Sequence, residues 1–151
     1  KNIDKGFTFS PMYYIGDEEA KLDGVEPEAK ILSIKVADGI TTVGNYIFYK
    51  CTKATALTLP EGITSIGQGA FRNCQRLTKI TLPEAVTRIE KTAFVSCKTL
   101  TEIYIPEGVV EVGAGIFEKC TPANITVKTK SQVAIDVISA EYPTVTIVSE
   151  F

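Results

Sequence analysis

Histidine is absent from this chain, and with it the side chain that most often exchanges protons near neutral pH. The same absence removes the imidazoles that would join cysteine at a zinc site, and the four cysteines form no C-x-x-C clasp. No phosphate-cradling glycine loop occurs, and no apolar run approaches the length of a membrane span, so insertion into a bilayer is not expected. An excess of positive charge is missing too. Sixteen basic residues stand against eighteen acidic ones, a net of −2, which provides no global field to hold nucleic acid. These absences leave no catalytic constellation, and neither an enzyme nor a cofactor is expected. The chain begins at Lys1 without a methionine or an apolar leader, which reads as a trimmed or processed product. Its 151 residues suffice for one domain with a real core.

What is present is periodic. Phe48, Phe71, Phe94 and Phe117 are each 23 residues apart, and Cys51, Cys74, Cys97 and Cys120 follow at the same step. A constant step of this size is the mark of a solenoid, in which each coil shows the same side chains to the coils above and below. The units start at Ile34, Leu57, Ile80 and Ile103, with a partial fifth start at Ile125. Ile80 and Leu82 alternate with Lys79 and Thr81, as in a strand buried on one face. Each strand is expected to pair with its copy in the next coil, giving one parallel sheet of about five strands. Pro60-Glu61-Gly62 and Pro106-Glu107-Gly108 then end the strand, because proline brings a fixed φ and no N–H to the ladder; Ala37-Asp38-Gly39 replaces that turn in the first coil. A second apolar pair follows (Ile40/Val43, Ile63/Ile66, Val86/Ile89 and Val109/Val112) and turns the chain back to the core. Coils this short leave room behind for a short strand, turns and at most a helical turn.

The pattern L-x-x-I-x-L-P-x-x-(V/I)-x-x-I-x-x-x-A-F-x-x-C resembles the BspA-like class of bacterial leucine-rich repeats. Residues 77–97 and 100–120 carry it most fully, and it covers about residues 34–127. Ala54 and Ala123 depart from it where the repeat has leucine. The resemblance implies a leucine-rich-repeat solenoid of the α/β horseshoe class, rich in β-structure. Four coils are expected at 34–56, 57–79, 80–102 and 103–124, between an N-terminal cap (1–33) and a C-terminal cap (125–151), all one domain. In the first cap, residues 7–15 are rich in β-formers. In the second, Ser131 is placed to cap a short helix carrying Val133, Ala134, Val137 and Ile138, ending before Pro143 and followed by a closing strand over 144–148. Caps at both ends suggest a complete small domain. The resemblance also implies an extracellular or cell-surface protein that adheres to a host or microbial surface protein or glycan.

Stacked coils bring neighbouring cysteines within disulfide reach, but their side chains run parallel rather than facing. A ladder of buried thiols donating to turn carbonyls is the favoured reading, with disulfide or redox chemistry the alternative. Asp38, Glu61, Glu84 and Glu107 form a column of turn carboxylates, read as solvated rather than cation-binding. Acidic residues gather between the strand-ending turn and the phenylalanine. Lys50, Lys53, Arg72, Arg76, Lys98 and Lys119 gather beyond it, so one flank is expected to be acidic and the other basic. On the outward face of the main sheet lie Lys35, Thr58, Thr81, Tyr104 and Thr126, with Ser33, Ala56, Lys79, Glu102 and Asn124 beside them. Tyr104 is the lone aromatic there. The candidate contact residues are Tyr104, Lys79, Glu102, Thr81, Thr58 and Lys35. A binding module using this face is the first reading; a structural spacer with weak self-association is the second.

Overall fold

A computed structural model describes residues 13–15, 18–20, 33–36 and 38–151. Strands β1 (Tyr13–Ile15) and β2 (Glu18–Ala20) pair antiparallel. The rest of the cap expected over residues 1–33, apart from Ser33, and Ala37 of the first turn lie outside the described residues.

Each coil has three sides. The first carries β3 (Ser33–Lys35), β5 (Ala56–Thr58), β7 (Lys79–Thr81) and β9 (Glu102–Ile105), one per coil, with β11 (Thr126–Thr129) following. The second side carries the two-residue strands β4 (Thr42–Val43), β6 (Ser65–Ile66), β8 (Arg88–Ile89) and β10 (Glu111–Val112). All four form one parallel ladder in 23-residue register, as in Val43↔Ile66 and Ile66↔Ile89. Between the two sides, Ile63, Val86 and Val109 donate their amides to the carbonyls of Pro60, Pro83 and Pro106. The proline thus closes the tight turn at the point where it can no longer serve a ladder.

The third side is built of consecutive turns rather than helix. Two residues per coil take left-handed backbone there, one column at Tyr46, Gly69, Thr92 and Gly115 and another at Lys50, Asn73, Ser96 and Lys119. Glycine and asparagine tolerate this conformation; the other residues adopt it at a cost. It is sustained by bonds between coils, since the amides of Tyr46, Phe48 and Lys50 donate to the carbonyls of Gln68, Ala70 and Arg72, and later coils repeat the pattern.

Inside, Phe48, Phe71, Phe94 and Phe117 are fully buried and stack at centroid separations of 5.4, 5.7 and 6.3 Å. Ile66, Leu77, Ile80, Leu82 and Ile89 pack around them. Four coils thereby share one core that no single coil could close. The cysteines are all free thiols. Cys74, Cys97 and Cys120 donate to the carbonyls of Phe48, Phe71 and Phe94 at 3.2–3.3 Å, the ladder expected from their spacing. Burial pushes the Cys97 and Cys74 thiols well above the ordinary thiol value and that of Cys120 to about 11.

The far end is closed by α1 (Gln132–Glu141) and β12 (Thr146–Val148). Ser131 caps the helix by accepting from the Ala134 amide, and its hydroxyl donates to the Val109 carbonyl at 2.6 Å. Ala134 and Ile138 face the core, whereas Val133 is exposed, so the inward stripe is narrower than the sequence suggested. At the helix end, the Glu141 carboxylate accepts from the Gly115 amide at 2.7 Å and the Tyr142 hydroxyl from the Phe117 amide at 3.2 Å. The Tyr142 ring lies 5.6 Å from Phe117 and continues the aromatic stack. These two side chains take the place of a further coil.

Two expectations need correction. The main sheet is not continuous: β3 and β5 form one pair, β7, β9, β11 and β12 a second parallel sheet, and no pairing joins β5 to β7. Ala54 stands where Leu77 and Leu100 anchor the approach to β7 and β9. With less side chain to hold the strand, Leu57 on β5 and Leu59 just after it are only half buried. The fifth unit is also shifted. Val127, not Ile125, aligns with Ile103, because the 3-10 turn Pro122–Asn124 lengthens that step by one residue.

Candidate ligand-binding face

The β7–β9–β11 face gathers four of the six candidates, Lys79, Thr81, Glu102 and Tyr104. On a one-face-buried strand alternate residues point outward, which sets Lys79 and Thr81 on β7 beside Glu102 and Tyr104 on β9. The shifted register then puts Thr126 beside Glu102 and Lys128 beside Tyr104, while Asn124 belongs to the preceding turn. Glu102 bridges two lysines, with Lys79 Nζ 2.9 Å from Oε1 and Lys128 Nζ 2.8 Å from Oε2. The bonds from Lys128 and then Lys79 hold its carboxyl below the usual range. Both oxygens of one carboxylate are thus committed, and each lysine keeps donors directed to solvent.

Tyr104 is less available than its position suggested. It is half buried, and its hydroxyl donates to Glu84 Oε1 at 2.7 Å. That bond, followed by desolvation, pushes its pKa up to about 12. Its ring meets the exposed Phe151 edge-on at 5.9 Å, and Lys130 Nζ lies 5.1 Å from the centroid of Phe151. Phe151, Lys130, Lys128 and Glu84 therefore join this corner, none of them a candidate from sequence. For Lys128 the signal was present but ambiguous, since Ile125, Val127 and Thr129 alternate in either register.

Thr81 is exposed on the same sheet. Thr58 is exposed on β5, across the break, and Lys35 lies in backbone register with it on β3. The six candidates are thus divided: Lys79, Glu102, Thr81 and Tyr104 share one sheet, and Thr58 and Lys35 belong to the other. Among the described residues no three Cys, Asp or Glu side chains converge as metal ligands, and no helix is long and apolar enough to cross a membrane.

A stack of short parallel coils, with one phenylalanine and one free thiol per coil, defines a leucine-rich-repeat solenoid. Residues 27–137 match the family described as the BspA type leucine rich repeat region, in six copies, and the chain belongs to that family. Among solved structures it is similar to a leucine-rich repeat protein from Bacteroides ovatus ATCC 8483, at 28% identity and a TM-score of 0.65, over 73% of this chain and 28% of that one. It is also similar to the T. pallidum leucine rich repeat protein TpLRR, at 27% identity and a TM-score of 0.53, over 62% of this chain and 55% of that one. The pneumococcal vaccine antigen PcpA shares the fold at 17% identity, with a TM-score of 0.54, over 76% of this chain and 35% of that one. The chain thus spans between about a quarter and about half of these proteins' lengths. No curated protein matches it significantly.

Proposed function

We propose that this chain is a non-catalytic binding module of a secreted or cell-surface bacterial protein, presenting its main sheet to a protein or glycan on a host or microbial surface. The observation that carries this reading is the Glu102 bridge. It holds Lys79 and Lys128, on the two strands that flank its own, at fixed positions, beside the Tyr104–Phe151 aromatic pair. Exposed ion pairs contribute little to stability, so this geometry is better explained as a preorganised contact surface than as a fold determinant. Membership of a repeat family that is generally non-catalytic, and that the resemblance associates with surface adhesion, supports the same reading.

The test is a screen of the folded chain against host matrix proteins and a glycan array, with Lys79→Glu, Lys128→Glu and Tyr104→Ala run in parallel. Binding lost in the lysine variants supports the sheet face. Binding kept in all three moves the contact surface elsewhere. A spacer role, with weak self-association, is the second reading, favoured by the small share of the Bacteroides ovatus protein that this chain spans. A molecular mass in solution that rises with concentration, together with an empty screen, would favour it.

A further inference from the structure

The first two complete coils carry a patch unlike anything in the later ones. Residues 39–60 and 62–83 contain no aspartate or glutamate, while Lys50, Lys53, Arg72 and Arg76 fall on the turn side and the loop beyond it. Arg72 follows Tyr49, and Arg76 follows Lys53, at one coil step, so the cations lie in short rows along the solenoid axis. Elsewhere Lys79, Arg88 and Lys128 are each paired to a carboxylate, while Lys91, Lys98, Lys119 and Lys130, like the patch cations, make no ion pair among the described residues. Two of the patch cations are held by an aromatic ring instead: Lys50 Nζ lies 5.3 Å and Arg72 Cζ 5.9 Å from the Tyr49 centroid. Arg72 Nε, moreover, is buried without a hydrogen-bond partner among the described residues. In the next two coils the Tyr49 and Arg72 position is filled by Val95 and Glu118, and the patch ends.

Tyr46 adds a second anomaly. It occupies the left-handed column that Gly69 and Gly115 fill in other coils, with φ of 54°. A bulky residue there is strained. Its ring lies over Gly69, and its hydroxyl accepts from Gln68 Nε2 at 2.8 Å. Asn45, Asn73 and Gln75 belong to the same two coils, and Asn45 Oδ1 already accepts from the Gln68 amide. Amide and phenol groups both donate and accept, as sugar hydroxyls do, whereas phosphodiesters and acidic peptide side chains chiefly accept. The mixture of unneutralised cations with two-way polar groups therefore fits a carbohydrate bearing acid groups better than a bare polyanion.

We infer that the turn side of the first two coils, centred on Lys50, Arg72, Arg76 and Tyr46, is a second binding site, separate from the sheet face, for acidic glycans carrying carboxylate or sulfate groups. The test measures binding of heparin and polygalacturonate by the purified chain over a range of salt. Dextran serves as the neutral control, and poly-glutamate and single-stranded DNA as the competing polymer classes. Both acidic glycans are expected to bind, dextran not to bind, and the two competing polymers to bind more weakly. Lys50→Gln/Arg76→Gln should weaken heparin binding about tenfold and lower the slope of log affinity against log salt by about 2, since two counterion-releasing contacts are lost. Its melting temperature should not change. Tyr46→Gly, which relieves the strained backbone and deletes the ring, should weaken heparin binding as well, and Arg88→Gln, on the exposed second side of the coils, should not. A folded chain that ignores both acidic glycans overturns the inference. So does heparin binding unchanged in the double variant or in Tyr46→Gly, or poly-glutamate or DNA bound as tightly as heparin.

Discussion

Gly69 and Gly115 occupy equivalent positions in left-handed turns two coils apart, with φ of 59° and 71°, but their surroundings differ. A Cβ at Gly115 would meet nothing closer than 3.4 Å, the Glu118 carboxylate. A Cβ at Gly69 would fall 2.3 Å from Tyr46 Cε1 and 2.6 Å from Cδ1. Gly115→Ala therefore tests the backbone alone, and should cost about 1 kcal/mol, the left-handed penalty less what alanine saves in the unfolded chain. Gly69→Ala carries the same penalty plus the displacement of a half-buried ring, about 1–3 kcal/mol more. Urea unfolding of both variants reads the difference directly. In a Tyr46→Gly background the extra cost should vanish, leaving Gly69→Ala close to Gly115→Ala, a coupling that a double-mutant cycle isolates. Equal costs in the parent chain, or strict additivity in the cycle, would refute the claim that Tyr46 is seated on Gly69.

Phe94→Ala should cost about 3–5 kcal/mol in urea unfolding, because the ring is fully buried between two others, whereas Val110→Ala, with its side chain largely in solvent, should lie within about 0.5 kcal/mol of the parent. Tyr142→Phe should cost about 1–3 kcal/mol and speed hydrogen exchange at the Phe117 amide, which loses its acceptor. A thiol whose pKa is raised on folding stabilises the protein fully below its unfolded value, 9.0, and progressively less above it. Alkaline titration followed by circular dichroism should therefore show stability falling from about pH 9, by about 1.4 kcal/mol per pH unit for a thiol as buried as Cys97. Alkylation of the native chain should label Cys120 before Cys74 and Cys97, since Cys120 alone of these is partly exposed.

The sequence disclosed whatever the 23-residue step repeats without exception. Phe48 through Phe117 and the cysteine column could be aligned by eye, and a side chain that recurs in every coil must stack on its copies. Ser131 was legible as a helix cap because its chemistry is local. Features that arise from a single irregular coil were not legible. The break beside β5 depends on Ala54, whose small volume matters only once Leu77 and Leu100 are known to anchor the neighbouring strands. The shift at β11 depends on one additional turn residue, and both registers satisfy the same alternation. Tyr104 was read as an open anchor because Glu84, 20 residues earlier, belonged to a different column; the bond between them is diagonal. The left-handed columns were signalled by Gly69, Asn73 and Gly115 but obscured by Tyr46, Lys50, Thr92, Ser96 and Lys119.

On the turn side, every cross-coil amide of Tyr46, Phe48, Lys50 and their equivalents points from an earlier coil to a later one. The peptide dipoles on this side therefore add along the axis, much as they do in an α-helix, and the positive end emerges at the last coil. A carboxylate from Glu141 sits on that end, as an acidic residue sits at the start of a helix. The solenoid thus has a polarity that the near balance of its formal charges conceals. Any body stacking directly onto these amides must dislodge Glu141 and Tyr142 and bring acceptors of its own, so the two ends of the stack are not equivalent as surfaces for assembly.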